Sequence, residues 1–106
     1  MKSDTRRSPP RDPPAHLSDG SKALWRALVP RRAKSPERMA LLTTALESRD
    51  RAETASAIVA REGVVLTTQK TGMVHLNPVL RLERDSRQLF VRCWQALGLE
   101  WGDDSE

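Results

Sequence analysis

Basic side chains are the clearest source of chemistry in this 106-residue chain. Residues 1–34 hold nine Lys or Arg against three Asp, so this third of the chain carries a net charge of +6. Guanidinium and ammonium groups pair with phosphate oxygens, which favours nucleic acid as a partner. On charge alone, a terminus that is merely solvated is an equally good interpretation. The candidate phosphate-binding residues are Arg6, Arg7, Arg11, Arg31, Arg32 and Lys34, with Lys70 as a second location.

Catalytic and metal-binding patterns are missing from the sequence. His16 and His75 lie far apart, no carboxylates repeat at the spacing of metal ligands, and no glycine-rich loop could hold a nucleotide phosphate. We therefore expect no enzymatic activity, no metal and no cofactor. Cys93 is the only cysteine, which excludes an intrachain disulfide and fits a reducing compartment. With no signal-peptide pattern and no apolar run near the roughly 18 residues of a membrane span, a cytoplasmic protein is expected.

Residues 100–106 form a second charged segment, of acidic sign. Trp101 lies there, beyond the last predicted helix, among four acidic residues and no basic one. A tryptophan surrounded by charge is typical of a short anchor for a protein partner. The alternative is that Trp101 packs back onto its own domain. The segment is therefore interpreted as an acidic tail with Trp101 as the candidate partner-binding residue.

The elements between these charged ends must position the basic groups. Residues 1–15 contain four prolines, scattered charge and almost no apolar side chains, so we predict a disordered basic arm. Ser18 is suited to cap a short helix that Pro30 ends. Ser35 then caps a long helix that Gly63 ends; a helix of about 27 residues spans roughly 40 Å.

A small β-hairpin is predicted after the long helix. Residues 64–68 and 73–76 are rich in β-branched and apolar residues, and Gly72 supplies the turn between them. Asn77 is suited to cap a closing helix, which Gly98 ends. Because an isolated two-stranded hairpin is barely stable in water, this hairpin must pack against a helix or a neighbouring subunit.

The predicted fold is therefore mainly α, with a short helix and a long antiparallel helix pair joined by the small β-hairpin. Residues 16–99 would form this single helical domain, with Trp25, Trp94 and Cys93 as buried residues. The long helices carry more apolar surface than so small a chain can cover, so we expect a homo-oligomer of cyclic symmetry. The residues predicted to mediate it are Met39, Leu42, Leu46, Leu82 and Leu89.

The order of these motifs resembles that of one protein family. The segment "HLSDGSKALWRALVP" is followed at a distance by "REGVVLTTQKTGMVHLNPVLRLERDSRQLFVRCWQALGLE". His-Leu-Ser, Leu-Trp, Glu-Gly, a Thr-rich hairpin with Gly, and Asn-Pro follow the pattern of the phage terminase small-subunit family. The similarity covers residues 16–100. The matching positions are Leu17, Ser18, Leu24, Trp25, Pro30, Gly63, Thr67, Thr68, Gly72, Asn77 and Pro78.

The resemblance implies a non-enzymatic DNA-packaging subunit. Such a protein binds double-stranded viral DNA, assembles into a ring and delivers the genome to a large subunit with ATPase and nuclease activity. Its location would be the cytoplasm of an infected or lysogenic bacterial host. Two segments depart from the family pattern: "PRRAKSPER" replaces a linker that is often longer and more acidic, and "GLEWGDDSE" stands where relatives often carry an arginine-bearing tail.

Two other functions are compatible with the sequence. In a prophage or bacterial transcription regulator, the first two helices and the basic connector would form a helix-turn-helix, although "SPERMALLTT" becomes apolar too early for a base-contacting helix. In an oligomeric adaptor, the helices would only mediate self-association and no DNA would bind. Salt-dependent DNA binding separates the adaptor from the other two.

Overall fold

The computed structural model describes residues 12–29, 31 and 33–99. Its elements in chain order are α1 (Asp19–Leu28), α2 (Pro36–Glu62), β1 (Val65–Thr67), β2 (Val74–Leu76) and α3 (Val79–Ala96). α2 packs along α3, α1 packs against α2, and β1 pairs with β2 in an antiparallel hairpin. The predicted mainly α fold, with a hairpin between two long helices, is confirmed.

Local chemistry sets the helix ends where the sequence predicts them. The Ser18 hydroxyl accepts a hydrogen bond from the Ser21 backbone N–H at 3.2 Å at the start of α1. Ser35 does the same for the Arg38 N–H at 3.2 Å at the start of α2. Gly63 ends α2 with a φ of 102°, a conformation that residues with a side chain rarely adopt.

Asn77 joins three elements at one end of the helix pair. Its amide nitrogen donates to the Gly63 carbonyl at 3.0 Å and to the Glu62 carboxylate at 3.2 Å. Its Oδ1 accepts from the Val79 N–H at 3.0 Å, at the start of α3. Its own backbone N–H donates to the Val64 carbonyl at 2.7 Å and closes the base of the hairpin. The buried Asn77 therefore fixes the end of α2, the hairpin and the start of α3 together.

The hydrophobic core lies towards the other end of the helix pair, where α1 joins it. The Arg38 guanidinium, near the start of α2, donates to the Leu97 carbonyl just after α3, so the two long helices are antiparallel. Trp25, Trp94 and Cys93 are buried, as predicted. The other members of this core are Leu17, Val29, Ala33, Met39, Leu42, Ala45, Leu46, Leu97 and Leu99.

α3 turns its aromatic residues, and not its leucines, towards the core. Leu82 is 45% and Leu89 36% exposed, whereas Trp94 is 9% exposed. Phe90 packs against the core instead, and its ring centroid lies 5.0 Å from that of Trp94. Because burying aromatic rings removes more apolar area from water than burying leucines, the two rings take the position against α2. The leucines are left at the edge of α3.

Candidate nucleic-acid interface

Two of the predicted phosphate-binding residues lie on the connector between α1 and α2. Arg31 and Lys34 are exposed, whereas Ala33 between them is 1% exposed and belongs to the core. The backbone N–H groups of Arg31 and Ala33 both donate to the Leu28 carbonyl at 3.1 Å, which folds the connector against the end of α1. The buried alanine therefore anchors a segment whose exposed side chains are cationic.

The basic arm joins the domain at this same end. Asp12 and Pro14 line an open groove of about 450 Å³ together with Trp25, Pro36 and Met39. Pro36 begins α2 directly after the connector, so the chain enters the described structure beside the connector. The described end of the arm, residues 12–15, thus lies near the beginning of α2. The arginines predicted to act there as well, Arg6, Arg7, Arg11 and Arg32, lie outside the described residues.

Lys70 lies at the opposite end of the helix pair. It is exposed in the turn between β1 and β2, where the Gly72 N–H donates to the Thr68 carbonyl at 2.7 Å. The hairpin that carries this turn follows the last residue of α2, a helix of 27 residues that spans roughly 40 Å. The described cations predicted from sequence therefore occupy two locations and do not form one patch.

α3 carries further cations that were not among the predicted residues. Four exposed arginines lie on this helix, and two of them pair with acids: Arg87 with Glu83 at 3.0 Å and Arg84 with Asp85 at 3.5 Å. The other two make no ion pair with any acid that the structure describes. Positions three or four apart share one side of a helix, and the side turned away from the core carries Arg81, Arg84, Gln88, Arg92 and Gln95. That spacing is visible in the sequence.

A polar cluster attaches the start of α1 to the middle of α2. Asp50 accepts hydrogen bonds from the Ser18 hydroxyl at 2.6 Å, the Ser18 backbone N–H at 2.8 Å and the Ser21 hydroxyl at 2.6 Å. Burial acts to raise the pKa of Asp50, but these hydrogen bonds and the charge of Arg49 together outweigh it. The pKa of Asp50 is therefore held below its ordinary value of 3.8. The carboxylate remains ionised and holds α1 in place.

His16 lies beside this cluster, at an open groove between α2 and α3. Its Nε2 atom is 2.7 Å from the Glu47 carboxylate. Both residues line the groove, which has a volume of about 420 Å³ and continues to Ile58 and Leu82. The histidine bonds to the Glu47 carboxylate, whereas the nearby hydroxyls of Ser18 and Ser21 bond to Asp50. The arrangement is a tether for the segment that precedes α1.

The residues predicted to mediate self-association divide into two groups. Leu42 and Leu46 are 0% exposed and Met39 is 8% exposed, so the chain's own core covers them. Leu82 and Leu89 remain at the surface. Of these five residues, a second copy can therefore reach only the two leucines of α3 without a rearrangement of the protomer.

Other predicted features concern partners and cofactors. Trp101, the candidate partner-binding residue, lies outside the described residues. Within residues 12–29, 31 and 33–99, no group of three or more His, Cys, Asp or Glu could hold a metal ion. In that same part of the chain, no helix combines the length and apolar character needed to cross a membrane. Comparisons with protein-family models, curated proteins and solved structures gave no match to this chain.

Proposed function

We propose that the chain is the small subunit of a viral DNA-packaging terminase. It would be a non-enzymatic protein that binds double-stranded viral DNA and delivers it to a large subunit with ATPase and nuclease activity, in the cytoplasm of a bacterial host. The observation that carries this proposal is the cationic connector, in which Arg31 and Lys34 flank the buried Ala33 beside the point where the basic arm joins. The order of short helix, long helix, hairpin and closing helix agrees with the order that the family resemblance implies.

Phosphate contacts at this end of the molecule would bind DNA with little dependence on base sequence. Contacts to phosphates fix the position of a protein on a duplex but carry no sequence information directly. If each subunit neutralises about four phosphates, the logarithm of affinity falls against the logarithm of salt concentration with a slope near −3.6. A cyclic oligomer repeats these weak contacts around its circumference, and the linked contacts raise the overall affinity.

A helix-turn-helix regulator is less well supported by the geometry. A recognition helix offers the side chains of its first turns to base edges in the major groove. Near the start of α2, however, Met39 and Leu42 are turned into the core of their own chain. α2 also continues for 27 residues, whereas a recognition helix is short. The connector, and not the beginning of α2, is the exposed cationic feature here.

A salt titration with two matched double variants tests the proposal. Arg31→Ala with Lys34→Ala removes two connector charges, and Arg51→Ala with Arg61→Ala removes two exposed charges from α2. We expect the connector variant to bind all duplex sequences more weakly and to reduce the salt slope by about 1.8 per subunit. The α2 variant should behave as the wild type does. Duplex binding is measured by fluorescence anisotropy at several salt concentrations.

The same titration addresses the other functions. If the two double variants show equal salt dependence of duplex affinity, the DNA must contact the protein elsewhere, at Lys70 or at α3. A wild-type protein that binds no DNA at low salt would leave the oligomeric adaptor as the better assignment. A dimer with a strong preference for one operator sequence would favour the regulator.

A further inference from the structure

The second half of α3 turns a polar side to solvent. Gln88, Arg92 and Gln95 are all exposed there, while Cys93 and Trp94 are buried in the core. Positions four and seven apart along a helix share one side, so the three exposed residues form a line. At a rise of about 1.5 Å per residue, this line is about 10 Å long. It is here called the glutamine line.

The glutamine line borders an open depression of about 350 Å³ on the surface of α3. Arg87 and Val91 complete its lining, which contains no acidic residue. Arg87 pairs with a carboxylate one turn earlier in the helix, whereas Arg92 makes no ion pair with any described acid. Residues 86–99 contain two arginines and no acid; the acids that follow, from Glu100, lie outside the described residues. The described surface therefore offers hydrogen-bond donors and positive charge to a polyanion.

The side chains of this depression are of the types that recognise bases. The carboxamide of glutamine forms two hydrogen bonds with the N6 and N7 atoms of adenine, and arginine pairs in the same way with guanine. An apolar side chain, here that of Val91, contacts the methyl group of thymine. Solvated helix faces are commonly built from pairs of glutamate and lysine, whereas α3 contains no lysine and its second half no acid.

The dimensions of the glutamine line fit the major groove of a duplex. An α-helix with its side chains is about 10–12 Å in diameter, and the major groove is roughly 12 Å wide. Successive base pairs are about 3.4 Å apart along the duplex, so a line of about 10 Å passes three of them. Only this part of α3 has to enter the groove.

The glutamine line lies at the same end of the helix pair as the connector. Leu97 and Leu99, just after α3, belong to the same core cluster as Ala33 of the connector. Arg38, in the first turn of α2, donates to the Leu97 carbonyl. A duplex bound at the connector therefore lies near the last turns of α3.

We propose that Gln88 and Gln95 contact base edges in the major groove of the duplex that the connector holds by its phosphates. Each glutamine selects adenine, so the preferred ligand is a duplex with A·T pairs at two positions about three base pairs apart. Arg92 adds positive charge beside them. The connector supplies affinity without base preference, and the glutamine line supplies the preference. This inference rests on the proposed function and names the residues that would make its DNA binding selective.

Selection from a pool of random duplexes, followed by competition between the selected and a shuffled sequence, tests the inference. Wild type should prefer the selected duplex. Gln88→Ala and Gln95→Ala should each reduce the ratio of the two affinities by about 5-fold or more, since a bidentate base contact discriminates to this extent. The salt slope should not change, because glutamine carries no charge. Alanine is a good helix former, and circular dichroism confirms that the helices are retained.

Two matched controls separate base contacts from other effects. Gln69→Ala replaces the chain's third glutamine, which is exposed in the turn of the hairpin, and should leave the affinity ratio unchanged. Arg31→Ala with Lys34→Ala should weaken binding to both duplexes equally and so preserve the ratio.

Other results overturn the inference. Salt-dependent DNA binding without any base preference would remove it and leave the proposed function standing. A preference that survives in both glutamine variants, or falls equally in Gln69→Ala, would also remove it. If the preference survives while a glutamine variant binds the large subunit more weakly, the glutamine line contacts protein and not DNA. A wild-type protein that binds no duplex at low salt contradicts the proposed function together with the inference.

Discussion

Asp50 and Ser18 are joined by two hydrogen bonds, from the serine backbone N–H at 2.8 Å and from its hydroxyl at 2.6 Å. The Ser18 hydroxyl also caps α1 by accepting from the Ser21 N–H. One carboxylate on α2 therefore sets the position of the whole first helix. Because α1 runs directly into the connector, the same contact positions Arg31 and Lys34.

Replacement of Asp50 by asparagine should destabilise the protein. The variant removes the charged acceptor of three short hydrogen bonds, and an interaction of this kind contributes about 1–3 kcal/mol. The measurement is urea unfolding at neutral pH. Asp85→Asn is the control, since its carboxylate is 58% exposed and pairs only with the neighbouring Arg84 among described residues; its effect should stay within about 0.5 kcal/mol. Equal losses for the two variants would contradict the assigned role of Asp50.

The pKa of Asp50 also predicts how the free energy of unfolding falls at acidic pH. The folded pKa of Asp50 lies below its ordinary value of 3.8, so on acidification the unfolded chain takes up the proton first. The stabilisation is fully present above that value and is lost as the pH falls through the lower, folded pKa. As the pH falls below about 5, wild type should therefore lose more unfolding free energy than Asp50→Asn. Parallel curves would show that other carboxylates control acid unfolding.

Two leucines predicted to mediate self-association should respond differently to a charge. Leu46 is 0% exposed, so Leu46→Asp buries an unpaired carboxylate and should unfold the protomer, at a cost above about 4 kcal/mol. Leu89 is 36% exposed, so Leu89→Asp should keep the helical spectrum and lower only the mass of the assembly. Thermal melts followed by circular dichroism, together with light scattering, separate these effects. A folded Leu46→Asp variant would contradict the observed core.

Two arginines at opposite ends of α3 can show at which end of the helix pair DNA binds. Arg81 lies at the hairpin end of α3 and Arg92 at the end that returns towards the connector, and both are exposed without an ion pair to a described acid. If DNA lies against the connector end, Arg92→Ala should reduce the salt slope by about 0.9, and Arg81→Ala should leave it unchanged. The reverse result would place DNA at the hairpin end, beside Lys70.

Removal of the acidic tail should leave the domain intact if the cut falls after Leu99. Leu99 is 8% exposed, and its N–H donates to the Trp94 carbonyl at 3.3 Å. Deleting residues 100–106 should therefore preserve melting temperature, mass and DNA binding, while it weakens association with the large subunit. Deleting Leu99 as well should lower the melting temperature. If the truncated protein binds the large subunit as tightly as the full chain does, the acidic tail makes no contact with that partner and only helps to keep the protein in solution.

Features set by neighbouring residues could be predicted from the sequence. Ser18 and Ser35 begin helices and Gly63 ends one, each through contacts within four residues. The identities of these residues are therefore enough to predict the helix boundaries. The pairing of Asp50 with Ser18 spans 32 residues and depends on how α1 approaches α2, which no local pattern encodes.

The sequence pattern shows which residues of a long helix share a side, but not which side packs into the core of its own chain. On α3 the rings of Phe90 and Trp94 pack against the core, while Leu82 and Leu89 stay exposed. On α2 the apolar residues expected to meet another copy are covered by α1 and α3 of the same chain.

The buried Asn77 also affects the order in which the chain folds. Its bond to Gly63 joins α2 to α3 across 14 residues, whereas the contact of Ser18 with Asp50 closes a loop of 32. The entropy of loop closure makes the longer loop costlier by about 0.7 kcal/mol. The helix pair can therefore form before α1 docks. We therefore expect the first helix, and with it the cationic connector, to be fixed in place last.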